Sequence, residues 1–448
     1  MKKRLLAVTL TAALAAASVM GCSQKTGGDA AATTAAQTQA EAAGDKGSEE
    51  AKTPEASADP IKVGCIFPIT GPNADQGVFN VDGCKLAVKQ INENGGIKSM
   101  GGRQLELVVY DNQSDAEQAK AVAERLISEN PEIVAVTGAA ASTYVLPMLP
   151  VFEKAEVPFL TAQVSESITS QGYQYSFRIG STGGSFAEAQ VGFLEWLNEK
   201  YDLGLKKVGI VYEDTEWGIS NTSGAVNAIE KSNSGLEIVY NQSFPANGSD
   251  LSNIVVGLKN SGCEVVFPTC YTQDAKLLFN TMASMNYDPV IIGGGGGFLY
   301  PSFAQELGDL VDGVLSVTGH NYDVQTIMDD AFLSQVGESF EKEYGYFMPE
   351  QAVASYGGIY LMAQALEACQ TTDRAAVRDA VRALNCPVVT PGSPVQFDEA
   401  GNNVRAFAVM TQWQKGDDGV YRTRTVFPED TATAEFQMPE SLKALMKQ

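Results

Sequence analysis

From residue 61 onward the chain alternates short apolar runs with segments of helical periodicity, and this alternation limits the folds open to it. The run Ile61–Phe67 has the length of a buried strand, and residues 78–94 carry apolar side chains at helical spacing before a Gly95-Gly96 stop signal. The same pattern predicts strands at 105–110, 133–136 and 157–160, and a helix at 116–128. Buried strands that alternate with helices form a parallel sheet covered on both faces.

The alternation restarts after residue 180, which predicts a second α/β lobe. Strands are expected at 208–212, 238–244, 265–268 and 290–292, and the chain crosses between lobes near 177–183, 316–323 and 395–404. Helices within 331–384 then return to the first lobe, and strands at 406–413 and 420–426 finish near the second. The predicted fold is α/β, with two doubly wound parallel-sheet lobes joined by a three-stranded hinge. The N-terminal lobe comprises 61–180 and 320–395, and the C-terminal lobe comprises 181–319 and 396–448. Ligands of open α/β sheets bind beyond the C-terminal strand ends, so a cleft between the lobes is the expected site.

The first residues have the composition of an export signal. Lys2, Lys3 and Arg4 precede an apolar run at 5–17 that is short for a membrane span, and the run ends at VMGC with Cys22. This ending resembles the lipobox of bacterial lipoproteins, which predicts a lipoprotein signal peptide over 1–22 and lipidation of Cys22. An ordinary signal peptide with a chance cysteine is the alternative, and both place the protein outside the cytoplasmic membrane.

Residues 23–59 are rich in Ala, Thr, Gln, Gly and Ser and carry almost no bulky aliphatic side chains. Such a segment buries too little apolar surface to offset its ordering entropy, so we expect a disordered tether. A lipid on Cys22 would anchor the protein in the membrane, and this tether would connect the lipid to the folded body. The body would then lie at the cell surface or in the periplasm. The anchor would be its only contact with the membrane.

Charge and residue usage narrow the possible functions. The formal net charge of −23 should repel nucleic acid and anionic lipid headgroups. With His320 as the single histidine and no C-x-x-C pair, we expect no metal site and no cofactor. A hydrolase would need an activated nucleophile or paired carboxylates, and the chain contains no G-x-S-x-G elbow. We therefore expect a binding protein and not an enzyme.

Several short motifs occur in a consistent order along the body. They are IKVG at 61–64, ITGP at 69–72, AVKQIN at 87–92, GGI at 95–97, Asp111, VGIVYEDTEWG at 208–218 and VQFDEAG at 395–401. In order and spacing the chain resembles the leucine/isoleucine/valine-binding protein family over roughly residues 61–413. The resemblance implies a type I periplasmic-binding fold with three interlobe crossovers and a hinged cleft.

What the family does is then the expected function. The chain would be a monomeric solute receptor that captures a small carboxylate-bearing ligand, such as a branched-chain-type amino acid, and delivers it to the permease and ATPase subunits of an ABC importer. A receptor that signals through a separate partner, or a binder of an aromatic or organic acid or an amide, is the alternative.

The resemblance places the ligand head group on two loops of the first lobe. Ala141 and Ser142 fall where the family seats the ligand carboxylate at a helix start, and a helix N-terminus with a hydroxyl suits an anion. Gln163, Val164 and Ser165 fall where the family uses a backbone carbonyl and a hydroxyl. The simpler alternative for Ser142 is a helix cap that touches no ligand.

In the second lobe the resemblance assigns aromatic contacts to Trp217 and Tyr271, although either could instead pack in the core. The family's acid that pairs with the ligand ammonium is missing, because Gly295 lies within five consecutive glycines. Leaving a buried ammonium unpaired would cost several kcal/mol. The acids expected to replace it are Asp274, Glu216 and Asp214, unless the ligand lacks an ammonium. Asp274 could instead cap the helix that starts nearby.

Overall fold

The computed structural model describes residues 59–324, 332–387 and 394–445. The predicted signal peptide with Cys22 and the predicted tether up to residue 58 lie outside the described residues. So do residues 325–331 and 388–393 of the predicted N-terminal lobe. Within the described ranges, no helix combines the length and apolarity that crossing a bilayer requires.

The first half of the body builds a parallel sheet of five strands among the described residues, in the order β2-β1-β3-β4-β5. Strands β1, β3, β4 and β5 are almost entirely buried, as expected for a sheet covered on both faces, whereas the edge strand β2 is only half-buried. The elements in chain order are β1 (Ile61–Phe67), α1 (Ala74–Glu93), β2 (Leu105–Asp111), α2 (Ala116–Glu129), β3 (Ala135–Gly138), α3 (Ser142–Lys154), β4 (Phe159–Thr161) and β5 (Ser176–Arg178), with 3-10 turns at Lys98–Met100 and Glu166–Ile168.

The second half builds a sheet of seven strands in the described part of the chain, in the order β12-β11-β10-β9-β8-β6-β7. Strands β6 to β10 run parallel, and β11 and β12 extend the sheet antiparallel beyond β10. The elements before residue 320 are α4 (Gly183–Tyr201), β6 (Lys207–Glu213), α5 (Glu216–Ser232), β7 (Glu237–Phe244), α6 (Ser252–Ser261), β8 (Val265–Thr269), α7 (Thr272–Ser284), β9 (Val290–Gly293), α8 (Pro301–Leu307) and β10 (Leu315–Thr318), with 3-10 turns at Gly296–Phe298 and Gly308–Val311. The later elements are α9 (Phe332–Tyr344), α10 (Glu350–Cys369), α11 (Arg374–Arg382), β11 (Val409–Lys415), β12 (Tyr421–Phe427) and α12 (Glu440–Leu445).

Helix α10 returns to the first sheet. It packs along α1, where the Ser355 hydroxyl donates to the Asn80 carbonyl over 2.7 Å. We call the β1–β5 sheet with α1–α3 and α9–α11 the first lobe, and the β6–β12 sheet with its helices the second lobe. The fold class predicted from the sequence, two parallel-sheet α/β lobes, is confirmed.

The three connections between the lobes lie side by side. The Arg178 N–H donates to the Gly401 carbonyl over 2.8 Å, and the Asn403 N–H donates back to the Arg178 carbonyl over 3.0 Å. A Cβ added at Gly180 would lie 2.7 Å from the His320 ring, so the second connection adjoins the first. The three segments expected from the sequence to link the lobes therefore adjoin one another.

Candidate ligand-binding cleft

A small cavity lies between the two lobes, at the carboxyl ends of strands from both sheets. This is where ligands of open α/β sheets bind. Loops after β3 and β4 and the start of α10 line it from the first lobe. The starts of α4, α5 and α7 line it from the second lobe, together with residues 293–297, which we call the glycine loop. The lining residues are Ala140, Ala162, Gln163, Val164, Phe186, Trp217, Tyr271, Gly296, His320, Glu350, Gln351 and Ala354.

Two of the predicted aromatic residues form one wall of the cavity. The Trp217 and Tyr271 rings pack with their centroids 4.7 Å apart and their planes tilted by 43°, and both residues are buried. The glycine loop lies directly against them, because a Cβ added at Gly296 would lie 2.5 Å from the Trp217 ring. The loop thus gives the indole room that any larger residue would occupy.

The predicted carboxylate seat is held in place from inside the first lobe. Ser142 is the first residue of α3 and is fully buried, and its hydroxyl oxygen accepts the Ser165 N–H over 3.3 Å. The cap position of α3 is Ala141, so the alternative that Ser142 caps the helix is wrong. The Thr143 hydroxyl in the same turn is buried and has no hydrogen-bond partner among the described residues. Ala141, Ser142 and Ser165 do not themselves line the cavity.

Glu216 joins the two lobes and does not face the cavity. Its Oε1 accepts hydrogen bonds from the Ser165 hydroxyl over 2.8 Å and the Ser167 hydroxyl over 2.7 Å. Glu216 opens helix α5 of the second lobe, whereas both serines belong to the loop after β4 of the first. The carboxylate therefore contacts the first lobe in a closed arrangement, instead of standing free to meet an ammonium.

The other two predicted ammonium partners bind backbone. Asp274 accepts the N–H groups of Asn247 over 2.7 Å and Gly248 over 3.1 Å, which fixes the loop after β7. Helix α7 has Tyr271 at its cap position, so the alternative that Asp274 caps this helix is wrong. Asp214 is exposed and accepts the Ala246 N–H over 3.3 Å. Neither carboxylate lines the cavity, and Gly295 does not line it either, although its neighbour Gly296 does.

The acid that does line the cavity is Glu350, which our sequence analysis missed. It is the first residue of α10, directly after Pro349, and its Oε2 is buried without a hydrogen-bond partner in the described part of the chain. Burial raises the pKa of Glu350 to about 8. The only local signal is an acid after a proline at a helix start, which the ordinary preference of helix N-termini already explains.

His320 also lines the cavity, although the sequence marked it only as part of a crossover. It is almost fully buried, and burial lowers its pKa to about 3, so the imidazole is neutral at physiological pH. Its Nε2 has no hydrogen-bond partner among the residues that the structure describes. The ring can therefore donate to or accept from a ligand, depending on its tautomer.

Further polar and aromatic contacts close the cleft beside Glu350. The Gln351 amide donates to the Tyr300 hydroxyl over 3.0 Å, and its oxygen accepts from the Asn80 amide over 3.2 Å. The Phe79 and Tyr300 rings lie 5.7 Å apart, and Ser302 donates to Asp75 over 2.8 Å. Residues 300 and 302 belong to the second lobe and the others to the first, so the cleft is closed along more than one edge.

Two α/β lobes that enclose a cavity beside three adjoining connections define a two-lobed binding protein. The chain belongs to the periplasmic binding protein family, whose profile matches residues 60–418. This is a family of extracytoplasmic solute-binding proteins. The resemblance seen in the sequence is thereby confirmed.

Individual relatives agree with this assignment. Leu/Ile/Val-binding protein homolog 8 of Brucella abortus (strain 2308) is 32% identical over 392 residues, which cover 84% of this chain and 93% of the relative. Homolog 7 of the same strain is 31% identical over 399 residues, 86% of this chain and 95% of the relative.

Solved structures show the same fold at lower identity. A leucine binding protein from Thermotoga maritima superposes with a TM-score of 0.70 at 20% identity, covering 83% of this chain and 99% of that protein. A second structure is that of a branched-chain amino acid transporter substrate binding protein from Streptococcus pneumoniae in complex with isoleucine. It superposes with a TM-score of 0.67 at 22% identity, covering 82% of this chain and 100% of that protein.

Proposed function

We propose that this protein is the solute-binding receptor of an ABC importer and that it captures a small carboxylate-bearing ligand in the cleft. The ligand that we propose first is an amino acid. The observation that carries the proposal is the cavity at the carboxyl ends of both sheets, lined by polar groups from one lobe and aromatic faces from the other. Contacts from both lobes to one ligand favour the closed form, and the permease would recognise the closed form.

The lining suits a ligand with a polar head and an apolar body. On the first lobe, Gln163 and Val164 lie beside the start of α3, whose free N–H groups and hydroxyls favour a carboxylate. On the second lobe, Trp217, Tyr271 and Phe186 offer apolar faces to a side chain. We propose Ala141, Ser142 and Ser165 as the support of the head-group seat, exposed to ligand when the lobes part.

We also propose that the ligand leaves unchanged. The imidazole of His320 lines the cavity, but burial lowers its pKa to about 3, which makes it a weak base, and its Nε2 has no hydrogen-bond partner among the described residues. Incubating the protein with its ligand and following ligand mass tests this point. Conversion that scales with protein concentration and survives repurification would count against a pure receptor.

The ligand class is tested by identifying what the protein carries and what it binds. Mass spectrometry of compounds released from freshly purified protein should find an amino acid or a related carboxylate. Calorimetry on refolded, ligand-free protein with the twenty amino acids and a set of organic acids and amides should give micromolar or tighter binding for at least one carboxylate, about −8 kcal/mol or better. Binding of amides alone would show that the proposed class is wrong.

The cellular setting follows from the same proposal. The receptor would be a monomer outside the cytoplasmic membrane, attached by lipid at Cys22, and its protein partners would be the permease and ATPase subunits of the importer. Reconstitution of the importer in vesicles, with and without this protein, should show uptake only when the receptor is present.

A further inference from the structure

We propose that Glu350 is the partner of the ligand's ammonium group and thereby selects amino acids over other carboxylates. The inference rests on the proposed function and adds the residue that determines its specificity. The acid would come from the first lobe, through the start of α10, and not from the glycine loop of the second lobe.

Elimination among the acids near the cleft leads to this residue. Glu216 is bonded to two serine hydroxyls across the cleft, and Asp274 is bonded to two backbone N–H groups. Asp214 is exposed beside the loop after β7. Among the described residues, Glu350 is the acid that lines the cavity, and its Oε2 is buried without a hydrogen-bond partner there.

A buried carboxyl oxygen without a partner destabilises the protein unless something in the cleft satisfies it. A buried polar group that is left unpaired has lost its hydrogen bonds to water without gaining any from the protein. An ammonium placed at Oε2 would supply both a hydrogen-bond donor and the opposite charge. Binding of an ammonium group would thus satisfy this carboxyl oxygen.

The groups that face Glu350 do not supply a positive charge. The Thr318 hydroxyl and the N–H groups of Gly296 and Gly319 lower its pKa, but burial raises it by more. The other titratable groups around this part of the cleft are His320, Tyr271 and Tyr300, with the Asp75 carboxyl near Tyr300. Burial keeps the imidazole and both phenols neutral at physiological pH, since it lowers the pKa of the first and raises those of the others.

Charge balance then couples ligand binding to a proton. Without ligand, the Glu350 carboxyl holds its proton up to about pH 8. An ammonium favours the carboxylate, so binding below pH 8 must expel that proton to solvent. The affinity for an amino acid should therefore rise by up to about tenfold for each pH unit between 6 and 8, because each bound ligand releases about one proton.

The experiment compares wild type, Glu350→Gln and Glu367→Gln by calorimetry. The control residue Glu367 lies on the same helix but binds the N–H groups of Lys98 and Ser99, away from the cleft. Probes are the twenty amino acids and, for each that binds, its deamino counterpart, such as 4-methylpentanoate for leucine. Runs at pH 6, 7 and 8 in buffers of different ionisation enthalpy count the protons released.

We expect Glu350→Gln to weaken amino acid binding by about 30-fold or more at pH 8 and to abolish both the pH slope and the proton release. The deamino acid should bind wild type and this variant alike, and Glu367→Gln should match wild type throughout. Because glutamine reproduces the protonated, uncharged carboxyl of the empty cleft, the variant should melt within a few degrees of wild type.

Two results would overturn the inference alone: an amino acid that binds Glu350→Gln within threefold of wild type, or a deamino acid that binds wild type as tightly as its parent. Either leaves the receptor proposal standing. If no amino acid binds wild type but other carboxylates do, the ammonium partner is refuted together with the choice of amino acids. If no carboxylate binds, the proposed ligand class is refuted as well.

Discussion

Gly296 shows how a single residue shapes the cleft. Its φ of +53° lies in the left-handed region that favours glycine, and a side chain there would collide with the Trp217 ring. Two independent constraints therefore act on one position. The glycine loop therefore allows the Trp217 ring to pack closely against its backbone. From the sequence alone, the loop shows only that the family's acid is missing.

At this scale we predict that Gly296→Ala weakens ligand binding by about tenfold or more, since the methyl group must displace the indole. Gly262→Ala is the matched control, because Gly262 also has a positive φ (+69°) but faces open space. Both variants should lose on the order of 1 kcal/mol of stability from backbone strain. Calorimetry and denaturant unfolding separate the two effects, and equal affinities in the two variants would contradict the prediction.

A second residue-scale prediction concerns Glu213, which is buried and accepts the Tyr271 N–H over 2.5 Å. Burial, and then the neighbouring Asp274 carboxyl, raise the pKa of Glu213 to about 9. The folded protein thus keeps a proton that the unfolded chain releases above about pH 4.5, so the free energy of unfolding falls as pH rises toward 9.

Glu213→Gln should make that fall shallower by up to about 1.4 kcal/mol per pH unit. Urea unfolding at pH 6 and pH 8 measures how much the free energy of unfolding changes with pH. Glu237→Gln is the control, since Glu237 is exposed on the adjacent strand β7. A slope that stays the same in Glu213→Gln would show that this carboxyl is ionised in the folded protein.

At the scale of elements, the sequence predicted most strands because buried apolar runs signal them directly. The starts of helices were less visible: α1 begins at Ala74, four residues before the predicted start at 78. Its first turn is polar, yet Gly77 packs on the Pro68 carbonyl, which apolar periodicity cannot detect. The strand expected at 133–136 lies two residues later, at Ala135–Gly138. The sequence pattern also predicts only connections where the short strands β5 and β10 lie, because three or four residues carry little pattern.

Some residues of the candidate site could be predicted from the local sequence, whereas others reach the site only through contacts between distant parts of the chain. Trp217 and Tyr271 lie at the starts of the helices that follow β6 and β8, so position and residue type predicted them. Glu350 reaches the cleft only because α10 returns to the first lobe beside α1. The residues around position 350 contain no local pattern that predicts the packing of α10 against α1.

Arg178 connects several elements at the hinge. It is almost fully buried, and its guanidinium donates to the carbonyls of Val164 over 3.3 Å and Ser165 over 2.7 Å, the Thr169 hydroxyl over 3.1 Å and Asn402 over 2.5 Å. One side chain thus ties the loop after β4 to the third connection. The loop that supports the proposed head-group seat depends on it.

We predict that Arg178→Met lowers the free energy of unfolding by about 3–5 kcal/mol, since it leaves several buried acceptors unpaired. Arg405→Met is the control, because Arg405 is exposed and donates to Gln396 at the surface. Its effect should stay within about 0.5 kcal/mol. Chemical denaturation measures both, and a similar small loss in each would refute the structural role of Arg178.

For the whole molecule, the hydrogen bonds that Glu216 accepts from Ser165 and Ser167 join the two lobes in the closed arrangement. Glu216→Ala should open the cleft, which raises the radius of gyration of the ligand-free protein in X-ray scattering and weakens ligand binding by about five- to a hundredfold. Glu230→Ala, at an exposed site of the same helix, is the control. An unchanged radius in Glu216→Ala would show that other contacts suffice for closure.

A last prediction concerns the tether's attachment. We expect Cys22 to carry a diacylglyceryl group, visible by intact-mass analysis of the protein from membrane fractions. Cys22→Ser should appear in the soluble fraction with its cleft intact. A wild-type protein as soluble as the variant would contradict lipidation.

The return of the chain to each lobe also sets the order in which the protein can be made. Helix α10 must meet α1, and the Ser355 to Asn80 hydrogen bond joins residues 275 positions apart. Strand β11 must likewise reach β10 after nearly the whole chain has been synthesised. Neither core can be completed by a growing chain, so folding has to wait for its last hundred residues. Contacts this distant in sequence form slowly. Such a delay would suit an extracytoplasmic protein whose chain crosses the membrane before it becomes compact.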